Sequence, residues 1–304
     1  MANTTVNPTV DLHEVLKGAQ LAALPQSAIR LLDLSKDPDN GPAEFAVTIE
    51  ADPGLTSQVL QFVNSSYFGF SREIATVKLA ITLVGIRTIK NFALWSDVFS
   101  LMPNPKCGAL DVKRLWQDSL SRALFSRALG KALGLKDAEE AFAAALLQDM
   151  AVPLLAKELP QEYSELFEKR ATDGAKLSEL EREKFGWTHA DAATEIAQTW
   201  NLPADFARLI SGHTDIEAVL AQGDAQPDQL AVALSALLPS SSDETWTEVD
   251  QFEAAYAQIK NEQCPAILDL LEQIDTDFAD FAPVLNMTAP AKTLLDYYNE
   301  AQES

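Results

Sequence analysis

The chain reads as an all-α protein, and three features carry that reading. Apolar residues recur at helical spacing along most of its length, prolines and capping residues mark helix starts, and no segment alternates as a half-buried strand would. The run at 143–155, Ala-Ala-Ala-Leu-Leu-Gln148-Asp149-Met-Ala-Val-Pro-Leu-Leu, says most. It is a buried helical stretch interrupted by an adjacent polar pair facing inward. An acidic group between apolar turns is costly unless it is paired, hydrogen-bonded or holding a metal, so Asp149 marks a site.

Leu24-Pro25 precedes a helix from Gln26. Asp37-Pro38-Asp39-Asn40-Gly41 has the start of a calcium loop, but Gly41 stands at its third acidic position, so the segment predicts a turn opening a helix at Pro42. Asp52 before Pro53 predicts an N-cap, with Leu55, Val59, Leu60 and Val63 on one face. The polar and aromatic segment Asn64-Ser65-Ser66-Tyr67-Phe68-Gly69-Phe70 predicts a Schellman-type end to that helix, with Tyr67 and Phe68 packing between lobes, or alternatively a recognition loop. Arg87 is either a surface charge or a partner for an acidic group across the same junction. Leu79, Leu83, Ile86, Ile89 and Ala93 set out a further apolar face, and Pro103, Asn104, Pro105, Cys107 and Gly108 form a joint.

Later, Thr188 with Asp191 reads as a capping box, and Asn201-Leu202-Pro203 ends one helix and opens another. Beyond 215 the texture turns to Gln, Asp and Ala. The loop at 239–244 is expected to be mobile, and 246–260, 265–281 and 289–298 to form acidic amphipathic helices.

Composition sets outer limits. With 304 residues, 47% hydrophobic and 22% charged, the chain can bury a large core in one or two domains. A net charge of −22 argues against a phosphate backbone as partner, so nucleic acid is excluded. No apolar run is long enough to cross a bilayer and residues 1–8 lack a leader pattern, which predicts a cytoplasmic protein without membrane association. Cys107 and Cys264 lack Cys-x-x-Cys spacing and are expected to pack as small residues.

Several of these segments, in this order, resemble the HDOD branch of the HD-type metal phosphohydrolase superfamily. They are Leu24-Pro25, Ile49 to Thr56, Leu60 to Gly69, Ile74 to Ala80, Leu83 to Arg87, Leu115 to Leu120, Gln148-Asp149, Phe185 to Asp191, Trp200 to Pro203 and Gly212-His213. The resemblance implies an HD-domain-like multi-helix fold with an additional N-terminal helical lobe. It divides the chain into an arm at 1–19, an HDOD-like domain at 20–215 (first lobe to about 105, HD-like lobe from about 109) and an acidic helical extension at 216–304 packed on the HD-like lobe.

Members of that branch usually keep the fold and lose the metal ligands. The superfamily's motif positions fall here on Asp118, where the first His would stand, on Gln148 and Asp149 for the His-Asp dyad, and on His189 and His213. A final Asp is absent near Ser235 and Ala236. Three histidines occur in all, and His13 lies outside the motif. Each remnant also has a structural reading: Asp149 as an internal hydrogen-bond acceptor, His189 as a neutral packing residue, and His213 as a charge at a helix C-terminus. Asp118 and His213 are expected to be solvent-accessible, so that either tolerates alanine.

The resulting expectation is a non-catalytic signalling or regulatory module that binds a protein partner in a signalling pathway, with no cofactor. The alternatives are a metal-dependent phosphodiesterase acting on a nucleotide or cyclic dinucleotide, with Mg or Mn on Asp118, Asp149, His189 and His213, or a nucleotide-binding regulator without turnover.

Overall fold

In the computed structural model residues 10–19, 21–285 and 287–303 are described, and their regular elements are helical. Residues 1–9 of the N-terminal arm lie outside the described residues. The remainder of the arm forms α1 (Leu12–Gly18), capped by Asp11, whose carboxylate accepts from the Glu14 N–H at 3.2 Å.

The first lobe comprises α2 (Gln26–Leu34), α3 (Pro42–Glu50), α4 (Pro53–Val63), a 3-10 turn at Ser66–Phe68, α5 (Val77–Val84) and α6 (Ile86–Leu101). Its helix starts are where the proline and capping signals place them. Asp52 accepts from the Gly54 and Leu55 N–H groups at 2.9 and 3.1 Å and so caps α4.

Two expectations are corrected here. Leu79 and Leu83 do not join Ile89 and Ala93 on one buried face: they are 44% and 47% exposed. Gly85, at φ +95°, separates α5 from α6 and resets the helical phase, so the same spacing faces solvent before it and core after it. Nor is Asn64–Phe70 a Schellman end to α4. The Asn64 side chain instead donates to the Ile74 carbonyl at 2.8 Å and accepts from its N–H at 2.7 Å, clamping the ten-residue excursion, while Gly69 (φ +62°) closes the separate 3-10 turn.

The second lobe follows as α7 (Val112–Ala132), α8 (Glu139–Leu147), α9 (Val152–Glu158), α10 (Pro160–Asp173), α11 (Leu177–Phe185), α12 (His189–Thr199) and α13 (Ala204–Ser211). The chain then runs through α14 (Ile216–Ala221), α15 (Pro227–Ser235), α16 (Val249–Ile259), α17 (Ile267–Phe281), a 3-10 turn at Ala282–Leu285 and α18 (Leu294–Glu303).

The 21-residue α7 is the axis: α8, α15 and α17 all pack on it. Leu120, Ala123, Leu124, Phe125 and Leu129 of α7 and Ala144 and Ala145 of α8 are at most 1% exposed. Alanines on α8 let the two backbones approach closely, which brings the α8–α9 turn against α7. α17 also reaches the first lobe, where Phe281 lies 5.1 Å from Tyr67 and 5.2 Å from Phe62 between ring centroids. Cys107 is buried, Cys264 half-buried, and both are free thiols.

Candidate functional site

Four segments bring polar side chains to one buried point beside α7. Asp118 and Arg122 stand one turn apart on α7, so both face the same way. Gln148 and Asp149 occupy the break between α8 and α9. Pro153 fixes that break, because it cannot donate to the carbonyl of Asp149 four residues back and its ring would clash there. His189 is the first residue of α12, after the Thr188–Asp191 capping box predicted from the sequence. His213 follows the C-cap Gly212 of α13.

One ligand atom each of Asp149, His189 and His213 lies within 4.8 Å of the others. Asp149 Oδ1 is 3.2 Å from His189 Nε2 and 3.6 Å from His213 Nε2, and the two imidazole Nε2 atoms are 3.1 Å apart. Behind His189, the Glu181 carboxylate of α11 accepts from both its Nδ1 and its backbone N–H, at 2.6 and 2.8 Å, and also accepts from the Tyr163 hydroxyl at 2.6 Å. Burial opposes charge on His189, but Glu181 and Asp149 outweigh it and push its pKa up to about 10. The His189 imidazole thus sits between two carboxylates, both of which favour its charged form. His213 Nδ1 lies 2.6 Å from the Ile210 carbonyl and donates to it, which turns Nε2 toward Asp149 and His189.

The other Asp149 oxygen is taken by Arg122, whose Nη1 pairs directly with Oδ2. Burial again opposes ionisation, yet Arg122 and both histidines hold Asp149 well below the usual carboxylate range. Arg122 also faces Asp118, whose carboxylate accepts from Ser240 Oγ at 2.6 Å and from the Ser241 N–H at 2.8 Å. Burial raises the Asp118 pKa against the pull of Arg122 and these hydrogen bonds.

Three expectations thereby change. Asp118 and His213 are 6% and 2% exposed, so neither is a solvent-accessible remnant: each became buried with its partners in place. The loop at 239–244 is pinned rather than mobile. Ser240 and Ser241 hold Asp118, Asp243 pairs with Arg170 at 2.6 Å, and the Tyr297 hydroxyl donates to the Asp243 carbonyl at 2.7 Å. Gln148 is fully buried, and neither its amide oxygen nor its amide nitrogen has a partner among the described residues.

Arg122 and Glu181 are the members that sequence reasoning missed. The available signal for Arg122 was its place four residues after Asp118 on a helix otherwise rich in Leu and Ala. Glu181 had no comparable signal, because it lies on a different helix from the histidine it serves. The site opens through a cleft of about 90 Å³ into a hollow of about 460 Å³, which shares Asp118, Arg170, Ser240 and Asp243 with it.

The suspected interaction loop lies elsewhere. Tyr67 and Phe142 sandwich the Arg127 guanidinium at 4.9 and 4.6 Å, Phe68 meets Phe62 edge-on at 4.9 Å, and Arg87 reaches across to Asp137 at 3.3 Å. Asn64 serves the loop clamp already described.

Comparison with known proteins agrees with this architecture. A protein of Treponema pallidum without assigned function is 24% identical over 199 residues, covering 64% of this chain and 38% of its own length. A crystal structure of an HDOD protein of unknown function from Geobacter sulfurreducens superposes with a TM-score of 0.64 at 19% identity, over 96% of this chain and 93% of that one. A provisionally assigned phosphohydrolase from Shewanella amazonensis superposes with a TM-score of 0.69 at 19% identity, over 90% and 100%. At these identities the structural likeness is one of fold. The HDOD domain model itself matches residues 21–216, well over half of the chain and including every residue of the histidine site except the Ser240–Asp243 loop, and the protein belongs to the HDOD family.

Proposed function

We propose that the chain is a non-catalytic regulatory module, acting by binding a signalling protein, in which an internal guanidinium has taken over the electrostatic role of a metal. The observation that carries this is the Arg122–Asp149 pair beside an unpartnered Gln148. A hydrolytic metal site needs carboxylate oxygens free to ligate, neutral imidazoles, and room for an activated water. Here one Asp149 oxygen faces Arg122, and the Glu181 and Asp149 carboxylates favour the charged form of His189. Asp118, the position of the first ligand, is turned toward Ser240 and Ser241. Its partners and Gln148, whose amide oxygen is a weak ligand, fit a divalent cation poorly.

Exposed apolar side chains on the paired helices α3 and α5, Val47 at 67% together with Leu79 and Leu83, support a binding role for the first lobe. A second reading rests on the convergence of Asp149, His189 and His213 with Glu181 behind His189, an outer-shell arrangement that also orients metal-bound histidines. Two imidazoles and one carboxylate favour a zinc-like ion over Mg or Mn. In that reading the protein is a metal-dependent phosphohydrolase.

Elemental analysis after desalting separates the two, combined with turnover of a nitrophenyl phosphodiester in the presence of Zn, Mn or Mg. The regulatory reading expects substoichiometric metal and background turnover. Stoichiometric metal lost on Asp149→Ala, or turnover abolished by Asp149→Asn in a folded protein, would overturn it.

A further inference from the structure

Between the first lobe and α7 lies a separate cavity of about 340 Å³, within the range of small-molecule sites. Its walls are aromatic. The Trp95 and Phe99 rings of α6 lie 4.3 Å apart, and Phe99 lies 3.9 Å from Trp116 of α7. Trp95 is only 6% exposed, yet its indole N–H finds no acceptor among the described residues. A buried indole N–H normally has a partner, so this wall lacks one that the chain itself does not supply.

Two further side chains at the cavity are uncommitted. Gln61 of α4, exposed at the cavity mouth, makes no hydrogen bond among the described residues, whereas Gln117 is already held by the Thr288 carbonyl at 2.7 Å. Lys113 stands at the exposed rim with no ion pair among the described residues, in a chain of net charge −22 where cations are scarce.

We infer that this cavity binds a nucleoside monophosphate. Flat aromatic walls suit a base in any orientation of its edge, because stacking uses the π-face alone. An uncommitted amide and the indole N–H suit the donors and acceptors that a base edge presents. A single free cation suits one phosphate, and a longer phosphate chain would meet the surrounding negative field with nothing to offset it. The base stacks on the face of Trp116 turned away from Phe99, an acceptor on base or ribose takes the Trp95 N–H, and the phosphate meets Lys113. The ligand would contact both lobes and Leu285, Met287 and Thr288 at once, which makes it a tie across the junction. This site is independent of the histidine cluster and stands whether or not that cluster turns over substrate.

Calorimetry and tryptophan emission during titration with AMP and GMP test it. The expected result is saturable binding of at least one of them with a Kd below about 0.1 mM, accompanied by quenching. Adenosine or guanosine should bind about tenfold more weakly, and Lys113→Ala and Trp116→Ala should each weaken the nucleotide by about tenfold or more. Trp116→Phe keeps a stacking face and should restore most of the affinity, which separates recognition from a merely structural loss. Absence of heat and quenching with both nucleotides up to about 1 mM overturns the assignment. So does binding unchanged in both Lys113→Ala and Trp116→Ala. Binding lost in Asp149→Asn but kept in Lys113→Ala would place the nucleotide in the histidine site and equally overturns it.

Discussion

Neighbouring residues of α7 face two different interiors: Trp116 and Gln117 border the aromatic cavity, while Asp118 and Arg122 enter the charged cleft. In the cleft the charges answer one another, Arg122 and His189 against Asp149 and Glu181, with Ser240 and Ser241 completing Asp118. In the cavity the rings satisfy each other by contact, but the buried Trp95 N–H remains unmet among the described residues. A region whose demands are met internally has become part of the core. One whose demands are left open keeps a capacity to bind. In this chain the charged cleft is closed by its ion pairs except at the Gln148 amide and Arg122 Nε, which have no partner among the described residues.

The largest effect should come from breaking that closure. Asp149→Ala would leave Arg122 and the His189 imidazole buried together without their shared anion, and removing one partner of a buried ion pair costs about 3–5 kcal/mol. Urea denaturation measures the loss. A cost below about 1 kcal/mol would mean that the cleft admits water readily and that the closed description fails.

Asp118→Ala should come next, at about 1–3 kcal/mol, since it strands the Ser240 hydroxyl and the Ser241 N–H and removes a second counterion from Arg122. Trp116→Ala on the other side of the same helix turn should cost less, about 1–2 kcal/mol, because its ring is only partly buried. If the order were reversed, the aromatic junction rather than the charged cleft would be the rigid region.

The charge on His189 also gives the cleft a pH signature. Its folded pKa of about 10 lies above the ordinary histidine value of 6.5, so the stabilisation is complete below about pH 6.5 and fades as pH rises toward 10. Asp149 has the opposite sign: its depressed pKa adds stability above its ordinary value of 3.8, which is lost as pH falls below that. Stability should therefore decline between pH 7 and 10, and His189→Gln should flatten that limb relative to the parent. An identical slope in both proteins would show that His189 is neutral in the fold.

Much of this architecture was legible locally. Asp52 before Pro53, Thr188 with Asp191, and the apolar run around Gln148-Asp149 all name their own structure, because caps and helix breaks are set by residues within one turn. Long-range facts were not. Arg122 and Asp149 are 27 positions apart, Glu181 and His189 sit on successive helices, and the Ser240–Asp118 contact closes a span of 122 positions. Their meeting is decided by how α8 and the 239–244 loop pack on α7 and how α11 packs on α12, which no local spacing encodes. The Leu79–Leu83 pattern failed for a related reason: periodicity counts residues, and Gly85 resets the count.

The smallest effect separates the two regions most finely. Gln148 is fully buried and its amide has no partner, so it carries the cost of desolvation without the return of a hydrogen bond. If the cleft has closed around Arg122, nothing there needs that amide, and Gln148→Met, similar in length and apolar, should leave stability unchanged or raise it by up to about 1 kcal/mol. The same logic does not extend to Trp95, whose unmet N–H lies on the wall of an open cavity where a ligand can reach it. Trp95→Phe should accordingly be near neutral for the free protein, yet remove the extra thermal stability that bound nucleotide confers. Thermal unfolding of both variants with and without AMP or GMP distinguishes the cases. A loss of more than about 1 kcal/mol in Gln148→Met would show that its amide is engaged in the native cleft, and the inherited site would then still be open to a ligand.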